Sequence, residues 1–461
     1  MRDPLADDGT ETREHPAPGR GSAGAEEDAD SRTARARFGE RAASILRTSP
    51  ILGAVLTLMS GTLAAQLVAF VLQIAIARVY TDVDKGLLGV YGSITQLVIT
   101  IAALRYDLAI VLPDSDAAAR SVHRLAGRCV LGVSLATSLV LALVAAPLKE
   151  RYHHSGELAL WLVASGVTVA LVAQAGNLRY WLTRKGRFGD IAANGVVNSL
   201  AIAGLQLLLG LVFDGGFTPL ILGTMLGQAV SLLFLVRRTR DARESSGEEP
   251  ALREVAARYK RMPLLNGPNA LVDAVRNAGI NLLIGAVAIG ALGQFQLAWN
   301  IMQVPVGLIA GALGQVFLKK LSDTPRGEMH PLVSRILVRA ALAAAVPFLL
   351  LSLLAPWLFP FVFGARWDQA GAFARALTPW LFMNVLTSPI SNLFVITENQ
   401  RRMLVFGVVY CLVPLAWLRF SPLGLLETAT VLGFLMAAML GGLVVMSLAT
   451  AAQYDAGEEG R

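Results

Sequence analysis

Charge is scarce in this sequence. Of its 461 residues, 16% are Asp, Glu, Lys or Arg, where soluble domains carry about 25%. The deficit is uneven, because charges crowd into residues 1–49 and into short punctuating clusters. Between the clusters run apolar stretches of about 20 residues, the length that crosses a hydrocarbon core of about 30 Å. That pattern excludes a soluble globular domain and predicts an all-α polytopic membrane protein. Cysteine is also rare. Cys129 and Cys411 both fall in apolar stretches, which excludes a disulfide framework or a cysteine-built metal site. No phosphate-binding loop of the G-x-x-x-x-G-K-[ST] type occurs, so ATP hydrolysis by that route is excluded. The histidines lie in the tail or in loops (His15, His123, His153, His154 and His330) and form no nucleophile or metal constellation. No cofactor is expected. No short apolar region with a cleavage site opens the chain, so no secretory signal peptide is expected.

What is present is a regular alternation of spans and basic loops. Residues 1–49 read as a disordered cytoplasmic tail, polar and without apolar period. Twelve spans are expected, at 51–78, 87–111, 127–147, 157–182, 190–213, 217–236, 263–289, 291–318, 332–354, 374–397, 403–419 and 424–449. They group into an N-lobe (50–236) and a C-lobe (263–450), joined by a basic linker (237–262) and followed by a short cytoplasmic tail (451–461). Loops after even-numbered spans hold Arg120, Arg124, Arg184, Lys185, Lys319, Lys320, Arg401 and Arg402. Loops after odd-numbered spans are sparse and hold Lys85, Lys149, Arg151, Arg366 and Arg419. The contrast keeps phase along the chain, which puts both termini in the cytoplasm. The net charge of +7 is thus a topology signal, and no nucleic-acid partner is expected. Within the linker, Leu252, Val255, Ala256 and Tyr259 recur at helical spacing among Arg and Lys, as in a short amphipathic helix on the inner membrane surface.

The halves echo each other. Leu88-Gly89-Val90-Tyr91 opens the second span, and Leu292-Gly293-Gln294-Phe295 opens the eighth. Asn177-Leu178 and Asn392-Leu393 close the fourth and tenth. Two repeats of one orientation imply a pseudo-twofold axis along the membrane normal and a central cavity between lobes. Gly61, Pro305 and Pro389 are placed to bend the first, eighth and tenth spans.

Ionisable residues inside spans are the informative ones, since each costs about 2.5–3.5 kcal/mol at the bilayer centre on insertion scales. Asp273 and Arg276 are three apart and share a helix face. They read either as a self-neutralising pair or as a cavity pair whose Arg takes a phosphate bidentately. Arg105 and Asp107, near the inner end of the second span, read as anchors or as cavity contacts. Arg179, near the end of the fourth, reads as interfacial or as part of the same cavity.

The residues then point to a family. Leu56-Thr57-Leu58-Met59-Ser60-Gly61-Thr62, Ala77-Arg78-Val79-Tyr80 and Leu104-Arg105-Tyr106-Asp107 through Pro113 follow one another in a familiar order. Tyr180-Trp181-Leu182-Thr183-Arg184, Leu252-Arg253-Glu254-Val255-Ala256, Gly314-Gln315-Val316-Phe317 and Pro379-Trp380-Leu381-Phe382 continue it. Over residues 50–450 the chain resembles the polysaccharide and O-antigen (Wzx-like) flippases of the multidrug/oligosaccharidyl-lipid/polysaccharide exporter superfamily. The resemblance implies transport of a polyprenyl-diphosphate-linked oligosaccharide across the bacterial cytoplasmic membrane, for O-antigen, capsule or exopolysaccharide, by alternating access. It implies membrane lipids, a coupling ion (H⁺ or Na⁺) and polymerase or assembly proteins as partners. One departure is the pair Trp299-Asn300, where relatives often carry a basic residue. It removes a cationic contact and points to another glycan or a less anionic substrate. Two other classes compete. A cation-coupled drug exporter of the same superfamily lacks support from an acidic pair in the first six spans. A membrane glycosyltransferase or polymerase lacks a large charged external loop, the longest (355–373) holding Arg366 and Asp368 as its charges.

Overall fold

The structure is a computed structural model. It describes residues 68, 70–151, 156–244, 249–322, 324–325, 327–390, 393–397 and 399–457. Every regular element among the described residues is helical. The long ones run α1 (Phe70–Val79), α2 (Asp82–Ala102), α3 (Asp116–Arg151), α4 (Gly156–Arg184), α5 (Phe188–Val212) and α6 (Phe217–Arg238). After the short α7 (Leu252–Arg258) come α8 (Arg261–Val287), α9 (Ile289–Ser322), α10 (Met329–Phe363) and α11 (Asp368–Ile390). A single turn, α12 (Leu393–Ile396), precedes α13 (Gln400–Phe420) and α14 (Leu425–Asp455). Among the described residues nine helices are long and apolar enough to span a membrane: α2 to α6, α8, α10, α13 and α14. Helices α9 and α11, of 34 and 23 residues, pack among them.

The surface shows why these helices need lipid. On α3, Leu131, Leu135, Leu139 and Leu143 are 59–77% exposed at a four-residue spacing, which aligns them as one ridge along the helix. On α10, Leu342, Val346, Leu349, Leu353, Trp357 and Phe361 do the same. A soluble monomer does not expose apolar surface on this scale. An aromatic core forms among α9, α10, α11 and the turn joining the last two, where Phe295, Phe348, Phe373, Trp367 and Trp380 are buried.

Helix ends are held by side chains. Thr81 caps α2: its hydroxyl accepts from the Asp84 N–H at 3.1 Å, and the Asp84 carboxylate accepts from the Thr81 N–H at 2.9 Å. The Asp455 carboxylate, at the end of α14, accepts from the N–H groups of Gly327, Met329 and His330 at 2.8–3.0 Å. Orphan donors at the start of α10 are thereby satisfied, a contribution of about 0.5–2 kcal/mol for one cap.

Several expected boundaries move. The second span does not continue to 111: α2 stops at Ala102, because Leu104 and Arg105 take left-handed φ of 47° and 60°. Two such residues in succession end the i→i−4 ladder, and a 3₁₀ turn, Tyr106–Val111, follows. Lys85, expected in an external loop, lies in the first turns of α2. The expected loop 355–373 is mostly helix, since α10 runs through Pro356 and Pro360 to Phe363 and α11 begins at Asp368. Between them Trp367 is buried, with its indole N–H donating to the Ala77 carbonyl at 2.8 Å. Pro305 sits inside an unbroken α9, whereas Pro389 is the penultimate residue of α11. Gly61 and the tail 1–49 lie outside the described residues.

The linker forms α7 and is docked on the first half. Glu249 pairs with Arg120 at 3.1 Å and with Arg124, the Ser121 hydroxyl donates to the Pro250 carbonyl at 2.9 Å, and Val255 is buried. Helix α2 of the first half packs on α8 and α9 of the second, so both belong to one compact unit, Leu58–Arg461.

Candidate functional site: a polar cavity along α2, α8 and α9

The N-cap at Thr81 sets the phase of α2. Lys85, Gly89, Gly92, Ser93, Gln96 and Thr100 then fall on one face, at helical spacing, and all line one cavity. Helix α8 supplies Ala270, Asp273, Ala274, Asn277 and Asn281 at the same spacing, and α9 supplies Gln296, Trp299 and Asn300. Gln73 and Gln206 complete the polar lining. The small residues make room, and the volume is about 650 Å³, within the usual ligand range of about 300–1,000 Å³. From Lys85 to Thr100 the lining follows α2 for about 22 Å at 1.5 Å per residue.

The wall carries many amides and hydroxyls and little charge. Among the described lining residues the cation is Lys85 and the carboxylate is Asp273. The Lys85 ammonium donates to the Gln73 side-chain oxygen at 2.7 Å and lies 5.9 Å from the centre of the Trp367 ring. An ammonium has three donors, so it can still bind an anion.

At the Lys85 end the two halves touch. A Cβ on Gly86 would lie 1.9 Å from the Ile289 carbonyl oxygen, and one on Gly293 would lie 1.9 Å from the Asp82 carbonyl oxygen. Glycine is required at both crossings by contact distance. The two Leu-Gly motifs that echo each other in sequence also meet here, since a Cβ on Gly89 would lie 3.2 Å from the Leu292 side chain. Within the second half Gln294 ties α9 to the start of α11, donating to the Arg366 carbonyl at 2.7 Å and accepting from the Ala370 N–H at 3.0 Å.

The residues singled out from sequence separate into three places. Asp273 lines the cavity. Arg276 is not among the lining residues: it pairs with Asp273 at 3.1 Å and lies over the Tyr410 ring. Arg105 caps the 3₁₀ turn beyond α2 and Asp107 lies in it, and together with Arg179 they act electrostatically on Tyr180. Burial raises the Asp107 carboxyl above its ordinary value, while Arg105 opposes the shift. Arg179 borders a separate niche of about 100 Å³ with Asn198, Gln228 and Ser231. The cavity brings together Lys85, Gln96, Asn277, Asn281, Gln296 and Asn300, which a search for charged motifs passes over. Their trace in sequence is amides four residues apart within apolar helices: Asn277 and Asn281, then Gln296 and Asn300.

The family described as polysaccharide biosynthesis protein matches residues 75–372. The chain belongs to this family. None of the curated protein sequences matches it. Among solved structures, this polysaccharide biosynthesis family member is similar to the lipid II flippase MurJ in an inward closed conformation. The TM-score is 0.65 and the identity 12%, over 87% of this chain and 90% of that one. It is also similar to an inward-facing multidrug resistance MATE family transporter of the MOP superfamily, with TM-score 0.60 and 13% identity over 82% and 95% of the two chains. An outward-facing MATE family transporter gives 0.51 and 13% over 88% and 96%. The fold of the family member is therefore that of the MOP superfamily transporters.

Proposed function

We propose that this protein is a flippase for a polyprenyl-diphosphate-linked oligosaccharide, moving it across the bacterial cytoplasmic membrane by alternating access and performing no covalent chemistry. The observation that carries the reading is the cavity itself: in a member of a polysaccharide biosynthesis family, it is large, rich in amides and hydroxyls, and holds a single cation among its described lining residues. A diphosphate-sugar head cannot enter hydrocarbon unaided, because its hydrogen bonds to water would go unreplaced. Amides and hydroxyls replace those bonds, Lys85 takes the diphosphate, and the polyprenyl tail stays in lipid.

In this reading the halves 50–236 and 263–450 are two lobes that rock about the cavity, with both termini in the cytoplasm. The Gly86–Ile289 and Gly293–Asp82 contacts then close the outer end, which makes the arrangement inward-facing. A coupling H⁺ or Na⁺ would act at Asp273, and a polymerase or assembly protein would receive the flipped glycan.

The test uses purified protein in liposomes carrying fluorescent undecaprenyl-diphosphate oligosaccharide in both leaflets, with an external quencher. Protein-dependent exchange is expected. Absence of exchange, together with uptake of a small cationic drug, would move the protein to the exporter class.

A further inference from the structure

Beside the main cavity lies a smaller one of about 290 Å³. The two share Asn277, Asn281 and Trp299. The smaller pocket adds Phe295, Gln303 and Trp380, and none of its described lining residues is ionisable. Its aromatic wall is fixed from behind. Trp380 is buried, and its indole N–H donates to the Tyr410 hydroxyl at 2.7 Å. Trp299 packs on Trp380 with ring centres 4.8 Å apart and stacks on Phe295 at 6.3 Å and 13°. Trp299 remains half-buried, at the junction of the two cavities.

This combination selects a ligand class. An indole face is electron-rich and attracts the weakly positive C–H face of a saturated ring. Amide side chains both donate and accept, as sugar hydroxyls do. A phosphate or a uronic acid would find no cation among the described lining residues, and the neighbouring Arg276 is engaged by Asp273 and by Tyr410. A cationic ligand would find no carboxylate among the described lining residues. The volume is at the lower end of the usual ligand range of about 300–1,000 Å³, which suits one ring and not a chain.

We infer that the pocket of Trp299, Asn277, Asn281 and Gln303 is a subsite for one uncharged sugar ring of the transported glycan. This rests on the flippase reading and adds to it a division of labour. The diphosphate is held at Lys85, and the sugar is read on Trp299.

The experiment compares lipid probes in the same liposomes: undecaprenyl diphosphate carrying one neutral hexose, with probes for several hexoses, and undecaprenyl diphosphate without sugar. Trp299→Ala is expected to slow exchange of the best neutral-hexose probe roughly three- to tenfold more than that of the sugar-free probe. Trp299→Phe is expected to restore most of the rate. Gln303→Ala, which leaves the aromatic wall intact, is expected to act in the same direction. An equal loss for both probes, or no loss for any hexose probe, overturns the subsite. If the wild type moves no lipid-linked probe, the flippase reading fails separately. Saturation-transfer NMR of neutral methyl hexosides on the full protein then decides the subsite by itself. Transfer abolished by Trp299→Ala keeps it, and no transfer from any hexoside overturns it.

Discussion

The guanidinium carbon of Arg276 lies 4.5 Å from the centre of the Tyr410 ring. The same guanidinium pairs with Asp273 at 3.1 Å, and the Tyr410 hydroxyl accepts from Trp380 at 2.7 Å. Arg276 thus ties a cavity carboxylate to the aromatic wall. Asp273 is 65% exposed, so the ion pair is screened, and pair and ring contact together are worth about 1–2 kcal/mol. Arg276→Ala should lower the thermal midpoint in detergent, and Arg276→Lys should recover the pair but not the planar stack. The exposed Arg339 serves as control. Equal midpoints for Arg276→Ala and Arg339→Ala would remove this role.

The glycine crossings predict a conformational effect. A Cβ at Gly293 would overlap the Asp82 carbonyl oxygen, which is backbone and cannot step aside. Gly293→Ala should therefore part α2 from α9 at the Lys85 end. With Cys129 and Cys411 replaced, spin labels at Val83 and Asp368 should move to longer separations in the variant. An unchanged distance distribution would mean that the contact does not hold this end closed.

Much of the fold is legible in the sequence because lipid imposes a simple demand. An apolar stretch of span length must be helical, and that alone locates most of the helices from α2 to α14. What misleads is local. Pro356 and Pro360 read as the end of a span, yet α10 carries them, since neighbouring helices in a membrane compensate the lost N–H. Leu104 and Arg105 give no composition warning of left-handed backbone, so α2 ends earlier than hydropathy suggests. The site was harder to read. Charge draws attention to Arg105, Arg179 and Arg276, but the cavity is built of amides, and only the folded crossing of α2, α8 and α9 shows that their polar faces converge. Lys85 was hidden by its position near a helix start, where it resembles a loop charge.

The docked linker gives a third prediction. Glu249 is nearly buried between Arg120 and Arg124, and removing one member of a buried ion pair costs about 3–5 kcal/mol. Glu249→Ala should free the segment carrying α7. Trypsin cleavage after Arg253 and Arg258 should accelerate severalfold, with cuts elsewhere unchanged. Cleavage at the wild-type rate would show that Ser121 and Val255 suffice to hold the linker.

Asp107 gives a fourth, with its sign set by burial. Its folded-state carboxyl is raised above the unfolded value, so the folded form binds the proton more tightly. The stabilisation is complete below the unfolded value, near pH 3.9, and is lost as pH rises through the folded one. Arg105 and Tyr180 interact electrostatically with this group. The wild type should lose thermal stability as pH rises above the ordinary aspartate value, and Asp107→Asn should flatten that part of the profile. A wild-type slope retained in Asp107→Asn would assign the titration to another group.

Lys85 carries the last prediction, and it concerns transport. Its ammonium spends one hydrogen bond on Gln73 and keeps donors for a phosphate oxygen. Hydrogen bonds to charged groups contribute about 1.5–3 kcal/mol, so Lys85→Gln, which keeps length but not charge, should slow lipid-diphosphate exchange roughly ten- to hundredfold. Lys85→Arg should retain most of the rate, because it restores the charge and adds a bidentate option. Both variants are compared at equal abundance in the same liposomes, and with the sugar-free probe, so that Trp299 does not enter the comparison. Full exchange by Lys85→Gln would show that the diphosphate is held elsewhere, and the 100 Å³ niche beside Arg179 would be the next place to test.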